Sequence, residues 1–360
     1  MFFNLFLKSF RILLLPFALL FGVGVAVRNW LYDRGWLKSA QFGLPLIAVG
    51  NLSVGGTGKS PMVEYLVRLL HNKYKVATLS RGYKRKTKGY ILAGAQTTAV
   101  DIGDEPALFH QKFPHVPVAV GEERLVAIAQ LLHDRPHTEA ILLDDALQHR
   151  SVAAGLNILL TDCGNLYTRD FFLPTGDLRD QRSSSKRAQV IVVTKCPHNL
   201  STSAQKSIIT ELAPTAKQAV FFTSIVYGSV YHLWTHDIIN LDAQTEVLLI
   251  TGIANPSPLK KYLEQSVASY SMQHYGDHHI FTIDDVADIQ TRFDTIGAAQ
   301  KIMLTTEKDA VRLNRFRAQL HNQPIYVIPI EHRFLFEQGP AFDRLVINFI
   351  QNFKPPATYG

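Results

Sequence analysis

Cysteine, methionine and tryptophan are scarce in this chain of 360 residues, which contains 2 cysteines, 4 methionines and 3 tryptophans. Cys163 and Cys196 give neither a disulfide framework nor a zinc-binding spacing, so we expect reduced thiols and a cytosolic location for the folded part. Charged residues make up only 19% of the chain and hydrophobic residues 47%, which excludes a disordered protein. The length favours two domains over one.

Negative charge is the scarcer sign, because the chain carries a net charge of +7. Such an excess favours anionic partners such as nucleic acid, a phosphorylated substrate or anionic lipid. A basic patch follows one predicted strand: Arg81, Lys84, Arg85, Lys86 and Lys88. Few aromatic residues and no nucleic-acid-binding motif accompany it, so we expect no nucleic-acid partner. We expect the patch to attract a membrane surface or a substrate phosphate, with Arg81 as a candidate phosphate contact.

One long hydrophobic run lies near the amino terminus, where residues 12–27 are apolar apart from Pro16 and the glycines. Basic and aromatic residues that suit a headgroup boundary flank it: Lys8, Arg11, Arg28, Trp30, Tyr32, Arg34, Trp36 and Lys38. The run is shorter than the roughly 20 residues that a simple span needs. The sequence therefore leaves open whether the segment spans the membrane or lies in the interface. A cleaved signal peptide and a soluble helix are the alternatives. The lack of a cleavage site favours a retained anchor over residues 1–40.

A nucleotide-binding P-loop is predicted directly after this anchor. A strand-like run, Leu46–Val49, leads into a glycine-rich turn and then into an amphipathic segment with helical spacing. The expected loop consists of Ser53, Val54, Gly55, Gly56, Thr57, Gly58, Lys59 and Ser60. Its N–H groups would surround phosphate oxygens, Lys59 would reach the β- and γ-phosphates, and Ser60 would bind Mg²⁺. Ser53 replaces the glycine of the strict motif, but the flanking strand and helix argue against a chance match.

A pair of aspartates ends another hydrophobic strand, since Asp144 and Asp145 follow Ala140–Leu143. In P-loop proteins an aspartate at this place holds Mg²⁺ directly or through water. The sequence does not distinguish which of the two is the direct ligand. Two acidic residues in an exposed turn are the alternative.

Strand-like and helical segments alternate along most of the chain. The strand-like runs are Leu46–Val49, Val76–Leu79, Val116–Val120, Ala140–Leu143, Asn157–Leu160, Val190–Thr194, Ala219–Phe222, Val247–Thr251, Ile302–Thr305 and Ile325–Ile328. This pattern predicts a P-loop NTPase-like α/β fold, with a parallel sheet covered by helices, a second smaller α/β lobe and an N-terminal membrane-associated helix. We expect the kinase-type P-loop domain over residues 41–224, a linker or hairpin over 225–245 and the second lobe over 246–360.

Several blocks then occur in a specific order: Val49–Pro61, Leu79–Arg85, Gly103–Pro106, Asp144–Arg150, Leu173–Asp180, Thr251–Ala254 and Thr306–Asp309. Together they resemble the tetraacyldisaccharide 4'-kinase family of lipid A biosynthesis in Gram-negative bacteria. The resemblance runs from the anchor to about residue 350. It implies an ATP- and Mg²⁺-dependent kinase at the cytoplasmic (inner) membrane, with its catalytic part facing the cytosol. The implied substrate is a lipid, a tetraacylated glucosamine disaccharide 1-phosphate, phosphorylated at its 4'-hydroxyl.

The resemblance also implies a catalytic pair. Asp104 is implied to help deprotonate the sugar hydroxyl, with a histidine from the second lobe as its partner. We prefer His278 because it follows Asp277, with His279 as the alternative. A carboxylate that orients an imidazole provides a proton acceptor, although Asp104 alone also suits a helix N-cap. Lys59 and Asp145 complete the implied catalytic set.

Some positions differ from the usual residues of the family. Ser60 replaces threonine, Ala146 replaces the glycine after the aspartate pair, and Asp180 replaces glutamate. Arg179 and Asp180 are candidate phosphate or substrate contacts. Gln148 is implied to lie beside the nucleotide and the metal, with a buried polar cap as the alternative.

Other functions compete with the kinase. A membrane-tethered P-loop NTPase switch or metallochaperone-type GTPase shares the broad architecture, and Val193–Lys195 faintly resembles a guanine-recognition strand. Cys196 and Pro197 stand in place of the specificity aspartate, so that match fails. A membrane-tethered nucleotide-dependent scaffold is the third hypothesis. Neither rival needs a hydroxyl-activating pair, so Asp104 and His278 distinguish the kinase from both.

Overall fold

A computed structural model of the protein, which describes residues 11–355, contains a nine-stranded and a six-stranded sheet. Lys8, residues 1–10 of the expected anchor and residues 356–360 of the expected second lobe lie outside the described residues. The strands are β1 Leu46–Asn51, β2 Val76–Ser80, β3 Ile91–Leu92, β4 Val118–Val120, β5 Ala140–Asp144, β6 Leu156–Asp162, β7 Val190–Thr194, β8 Ala219–Tyr227, β9 Val230–His232, β10 Ile238–Ile239, β11 Glu246–Thr251, β12 Ser269–His274, β13 Lys301–Thr306, β14 Ile325–Ile328 and β15 Ile330–Phe334.

The helices lie between and around these strands. They are α1 Leu15–Asp33, α2 Lys59–Leu70, α3 Ala99–Ile102, α4 Asp104–Lys112, α5 Arg124–Asp134, α6 Thr202–Leu212, α7 Ser257–Ser266, α8 Ile283–Asp294, α9 Glu307–Leu313, α10 Arg317–Leu320 and α11 Gly339–Gln351. The α/β architecture expected from the alternating pattern is therefore confirmed, and so is an apolar helix near the amino terminus.

The nine-stranded sheet forms the first lobe, in the order β15-β8-β7-β6-β1-β5-β2-β4-β3. Its central strands are parallel, and β3 and β15 close the two edges in the antiparallel direction. Every residue of β1 is buried, as a parallel strand with helices on both faces requires. Because β1 lies between the later strands β5 and β6, the strand order reverses there. The crevice at the carboxyl ends beside such a reversal is where open α/β sheets bind ligands.

The six-stranded sheet forms the second lobe, in the order β10-β9-β14-β13-β11-β12. Its β9 and β10 come from the segment that the sequence suggested as a linker. The chain then returns to the first lobe, where β15 pairs with β8 and the apolar side of α11 joins the first core. The structure thus differs from the expected second lobe of residues 246–360. The spacing of apolar residues in α11 predicts a buried face, but it does not specify which sheet the face covers.

Helix α1 runs along the first lobe. In residues 11–355 it belongs to the single helical stretch, Ile12–Asp33, that is long and apolar enough to cross a membrane. One side is buried at Ala18, Gly22 and Asn29, and the remaining apolar side chains are mostly exposed.

Candidate active site

The glycine-rich segment of residues 53–60 connects β1 to α2 at the carboxyl edge of the first sheet. Gly55 and Gly58 have φ angles of +100° and +86°, a backbone region that favours glycine. Helix α2 begins at Lys59, so the unpaired N–H groups of its first turn face this loop. A loop of this shape at a helix N-terminus is suited to phosphate.

His332 of β15 supports the loop from the opposite side. Its Nε2 lies 2.8 Å from the carbonyl oxygen of Gly58, and its Nδ1 lies 2.9 Å from Oγ1 of Thr223. Burial lowers the pKa of His332 to about 4, so the ring is neutral at physiological pH. A neutral imidazole can donate to the Gly58 carbonyl while accepting from the Thr223 hydroxyl.

Four polar side chains meet beside the loop. Nζ of Lys59 lies 3.3 Å from Oδ1 of Asn51 and 3.7 Å from Oδ1 of Asp145. Arg179 donates from Nη1 to Oδ2 of Asp145 at 2.9 Å and from Nη2 to Oδ1 of Asn51 at 2.6 Å. Burial lowers the pKa of Lys59, whereas for Asp145 the bond from Arg179 and the Lys59 charge outweigh burial and lower its pKa to about 2. Asp145 is therefore ionised and already paired with cations.

Asp144 has the opposite environment. Its side chain is buried at the end of β5, and among the described residues no group donates to its Oδ1. Burial, reinforced by the neighbouring Asp145, raises the pKa of Asp144 to about 6. Oε1 of Gln148 is likewise buried without a donor in the described part of the chain, while its Nε2 donates to the Asn51 carbonyl at 2.6 Å. Oxygen atoms without a donor, beside a phosphate loop, fit the ligand preference of Mg²⁺.

No group of three or more His, Cys, Asp or Glu side chains able to hold a metal ion occurs within residues 11–355. This is compatible with Mg²⁺, which usually keeps several waters and takes one or two carboxylates together with phosphate oxygens. A dedicated cage of protein ligands is not needed for that ion.

A second cluster of charged groups joins the two lobes at the start of α4. Oδ2 of Asp104 lies 3.1 Å from Nδ1 of His278, which belongs to the second lobe. Arg312 of α9 donates to the same oxygen from Nε at 3.1 Å and from Nη2 at 2.6 Å. Nη1 of Arg312 donates to Oδ1 of Asp309 at 2.9 Å. The structure therefore brings together Asp104 and His278, the pair implied by the resemblance.

The charges in this second cluster favour the ionised form of Asp104. Burial alone would raise the pKa of Asp104, but the hydrogen bonds and charges of Arg312 and His278 lower it overall. Nη2 of Arg312 also lies 3.2 Å from Nδ1 of His278, and the carboxylate between these two donors accepts from both. If the Nδ1–H of His278 donates to Asp104, the Nε2 of the neutral ring is the atom that can accept a proton. The His278 backbone has a φ of +62°, which is uncommon for a non-glycine residue.

The neighbouring histidine has different surroundings. Nε2 of His279 lies 2.9 Å from Oδ2 of Asp285 at the start of α8, and its ring stacks on Tyr275 with centroids 4.6 Å apart. Of the two histidines, only His278 contacts Asp104 among the described residues. The structure thus separates two candidates that the sequence left open.

Two further candidates have other locations. Asp180 is buried, accepts from Asn29 of α1 and Ser184 at 2.8 Å each, and pairs with Arg187 at 2.6 Å. Its carboxylate is thus engaged with side chains outside the cluster of Lys59, Asn51, Asp145 and Arg179. Arg81 is exposed at the end of β2, where a ligand phosphate can reach it.

Sequence reasoning missed several side chains of the site. Arg124 is 2% exposed and donates to the backbone carbonyls of Gly121 at 2.6 Å and Asp144 at 3.0 Å. Arg312 and His332 likewise support the site from elements distant in sequence. Of these residues, Asn51 could have been identified from the sequence. It is the last residue of β1, and a polar residue in a buried strand directly before the loop suggests a role in the site.

Comparison with known proteins shows the family of the chain. A sequence model of the family described as tetraacyldisaccharide-1-P 4'-kinase matches residues 10–351. The chain is similar to the tetraacyldisaccharide 4'-kinase of Flavobacterium johnsoniae, at 46% identity over 96% of this chain and 99% of the relative. It is also similar to that of Parabacteroides distasonis, at 41% identity over 95% of each chain. A crystal structure of LpxK from Aquifex aeolicus in complex with ATP has a TM-score of 0.74 and 27% identity, covering 95% of this chain and 99% of that one.

Proposed function

The chain belongs to the tetraacyldisaccharide-1-P 4'-kinase family, and from that premise we propose how its residues share the work of the reaction. It is an ATP-dependent kinase that phosphorylates the 4'-hydroxyl of a tetraacylated glucosamine disaccharide 1-phosphate in lipid A biosynthesis. The observation that carries the assignment of roles is the Asp104–His278 contact, which joins the two lobes.

Residues 53–60 bind the nucleotide. Their N–H groups surround the phosphates, and Lys59 balances the charge that spreads over the transferred phosphoryl group. Arg179 and the exposed Arg81 are further phosphate contacts. The lowered pKa of Lys59 reflects burial before a polyanion arrives, and a bound phosphate would favour the charged form.

Asp144, Ser60 and Gln148 would hold Mg²⁺, with Asp144 as its carboxylate ligand. The support is that Asp144 has an oxygen without a donor in the described part of the chain, whereas Asp145 is paired with Arg179 and Lys59. When bound, Mg²⁺ would supply positive charge that neutralises the charge developing on the phosphates. Asp145 positions Lys59 and Arg179 around the same phosphates.

Asp144→Asn and Asp145→Asn are each expected to lower Mg²⁺-dependent transfer by about 10²-fold or more, because each removes a charge that organises the phosphates. The measurement is the transfer rate as a function of Mg²⁺ concentration, and for at least one variant added Mg²⁺ should fail to restore activity. Asp162→Asn is the control, since Asp162 ends the nearby β6 and pairs with Lys195. Full activity with unchanged metal dependence in both variants would show that other residues hold the metal.

Asp104 and His278 activate the sugar hydroxyl. Asp104 holds the imidazole through Nδ1, and Nε2 accepts the proton as the hydroxyl attacks the γ-phosphate. Because the lowered pKa of Asp104 makes its carboxylate a weak base, we assign the carboxylate to holding the imidazole. Arg312 keeps the carboxylate ionised and oriented.

Transfer of labelled γ-phosphate tests this function. The full chain in detergent micelles should transfer the label from ATP to a tetraacylated disaccharide 1-phosphate, and GTP should be the poorer donor. Nucleotide hydrolysis without transfer, and faster with GTP than with ATP, would instead support a P-loop switch.

The exposed apolar side of α1 associates with the inner membrane, with the two lobes on the cytosolic side. Both ends of the helix are tied to the first lobe: Arg11 pairs with Asp177 at 2.9 Å, and Arg150 pairs with Asp33 at 2.6 Å. A helix of about 30 Å whose two ends contact the same lobe lies along that lobe. This arrangement favours a helix in the plane of one membrane interface over one that crosses the bilayer.

Deletion of residues 1–36 is expected to release the protein into the soluble fraction. Burial of a Leu or Phe side chain contributes about 1.5–3 kcal/mol, whereas a basic residue near an anionic surface contributes only about 1 kcal/mol. Sedimentation with anionic vesicles at low and high salt measures the difference. If the truncated protein still sediments at high salt, another surface anchors it.

A further inference from the structure

We propose that α1 also supports the nucleotide site, and that Asn29 is a positioning residue for ATP binding. The proposal rests on the nucleotide site assigned under the proposed function. The connection runs through the loop of residues 170–181, which contacts α1 on one side and the P-loop on the other.

Asn29 is the polar member of the buried side of α1. It is 3% exposed, and its Nδ2 donates to Oδ1 of Asp180 at 2.8 Å, with Oγ of Ser184 at 3.3 Å. A helix that served only to enter lipid would not need a buried amide, because burying one is unfavourable unless it is hydrogen-bonded. The Asn29 amide is instead satisfied by its hydrogen bond to the Asp180 carboxylate of the loop.

The same loop contacts the first part of α1. The ring of Phe172 packs on Gly22, where a Cβ atom would lie 2.8 Å from it. Arg11 donates to the carbonyl oxygens of Pro174 at 2.9 Å and Gly176 at 2.7 Å. The loop is thus held at several points along the helix.

The other side of the loop pairs with the start of the P-loop. The N–H of Val54 donates to the carbonyl of Asp177 at 2.7 Å, and the N–H of Arg179 donates to the carbonyl of Leu52 at 2.8 Å. Leu178 between them is 1% exposed. Residues 177–179 therefore form a backbone brace against residues 52–54, directly before the phosphate-binding glycines.

Two adjacent side chains connect the two environments. Arg179 bonds to Asp145 and Asn51 in the nucleotide site, while Asp180 bonds to Asn29 in the membrane helix. Arg179 and Asp180 are consecutive residues, so a shift of the backbone at one of them displaces the other. Docking of α1 therefore fixes where the Arg179 guanidinium lies relative to Asp145 and Lys59.

The test compares two aspartate substitutions in the same helix, measured in the full chain in detergent micelles. Asn29→Asp places a second carboxylate beside Asp180, and Val23→Asp places one on the exposed side, where Val23 is 61% exposed. For Asn29→Asp we expect the Kd for MgATP to rise by about two- to thirtyfold, the range of coupling effects between linked sites. For Val23→Asp we expect an unchanged Kd and weaker sedimentation with vesicles.

A rescue separates positioning from mere loss of stability. Asn29→Asp combined with Asp180→Asn restores one carboxylate and one amide to the cluster, and the Kd for MgATP should return toward the wild-type value. An unchanged Kd in Asn29→Asp, or a double variant that binds ATP no better than the single one, would overturn the proposal. The readout is ATP binding, so a failure of phosphate transfer in the wild-type chain would contradict the proposed function without affecting this result.

Discussion

Changing Asp104 or His278 to alanine is expected to lower turnover by about 10²–10⁴-fold, the usual contribution of general acid–base help, while ATP affinity stays nearly intact. The reason is that the pair lies on facing lobes and shares a hydrogen bond of 3.1 Å, while nucleotide binding is assigned to residues 53–60. Steady-state transfer rates and ATP titrations of each single variant measure the two effects. Asp104→Asn keeps the size of the side chain but removes its charge, and its turnover should be lowered as much as that of Asp104→Ala.

The double variant decides whether the pair acts as one unit. Asp104→Ala with His278→Ala should cost little more than the worse single change, because residues that work together are strongly non-additive. His279→Ala is the matched control, since that adjacent ring bonds to Asp285, and we expect it to keep its turnover. A double loss equal to the product of the single losses would show independent roles and would make His278 a substrate-positioning residue.

Lys59→Ala is expected to abolish measurable transfer and to weaken ATP binding. The ammonium is the point charge nearest the phosphate loop, and loss of one such transition-state contact typically lowers kcat by about 10²–10³-fold, before the loss in binding is added. The fold should survive, because Asp145 keeps its bonds to Arg179. Transfer rate, ATP affinity and thermal unfolding temperature together separate these effects.

Lys195→Ala is the control for that experiment. Lys195 also follows a strand of the first sheet, but it pairs with Asp162 at 2.8 Å and is partly exposed. We expect activity like that of the wild type. Wild-type turnover in Lys59→Ala itself would show that Lys59 is not part of the nucleotide site.

The parts of the fold that could be predicted from the sequence are those where burial is continuous. The strand Leu46–Asn51 and helix Lys59–Leu70 appear as an apolar run and an amphipathic run around the glycines, and both occur in the structure. The edge strand Ser269–His274 gave no such signal, because its residues alternate in exposure and are mostly polar. The return of β15 to the first sheet depends on a pairing with β8 that no local pattern encodes.

The candidate site divides in the same way. Lys59, Ser60 and the aspartate pair follow from local motifs, because the glycine-rich loop and the two aspartates each come at the end of a buried strand. Arg312 could not be predicted, because it meets Asp104 across 208 positions of sequence, and its own surroundings suggest only an ordinary helix. Asn29 was hidden for a different reason: within an apolar helix, a single amide gives no indication of which side of the helix is buried.

The return of β15 and α11 to the first lobe has a consequence for how the protein is made. Phe342, Val346 and Ile350 of α11 share a core with Ile47 of β1, although almost the whole chain separates them. On the ribosome the second lobe is complete when residue 328 has emerged, whereas the first lobe still lacks its last strand and helix. Domains that close late expose apolar surface during synthesis, which makes them prone to aggregation and dependent on chaperones. A nascent chain arrested before residue 339 should therefore contain a folded second lobe joined to a first lobe whose core is still open.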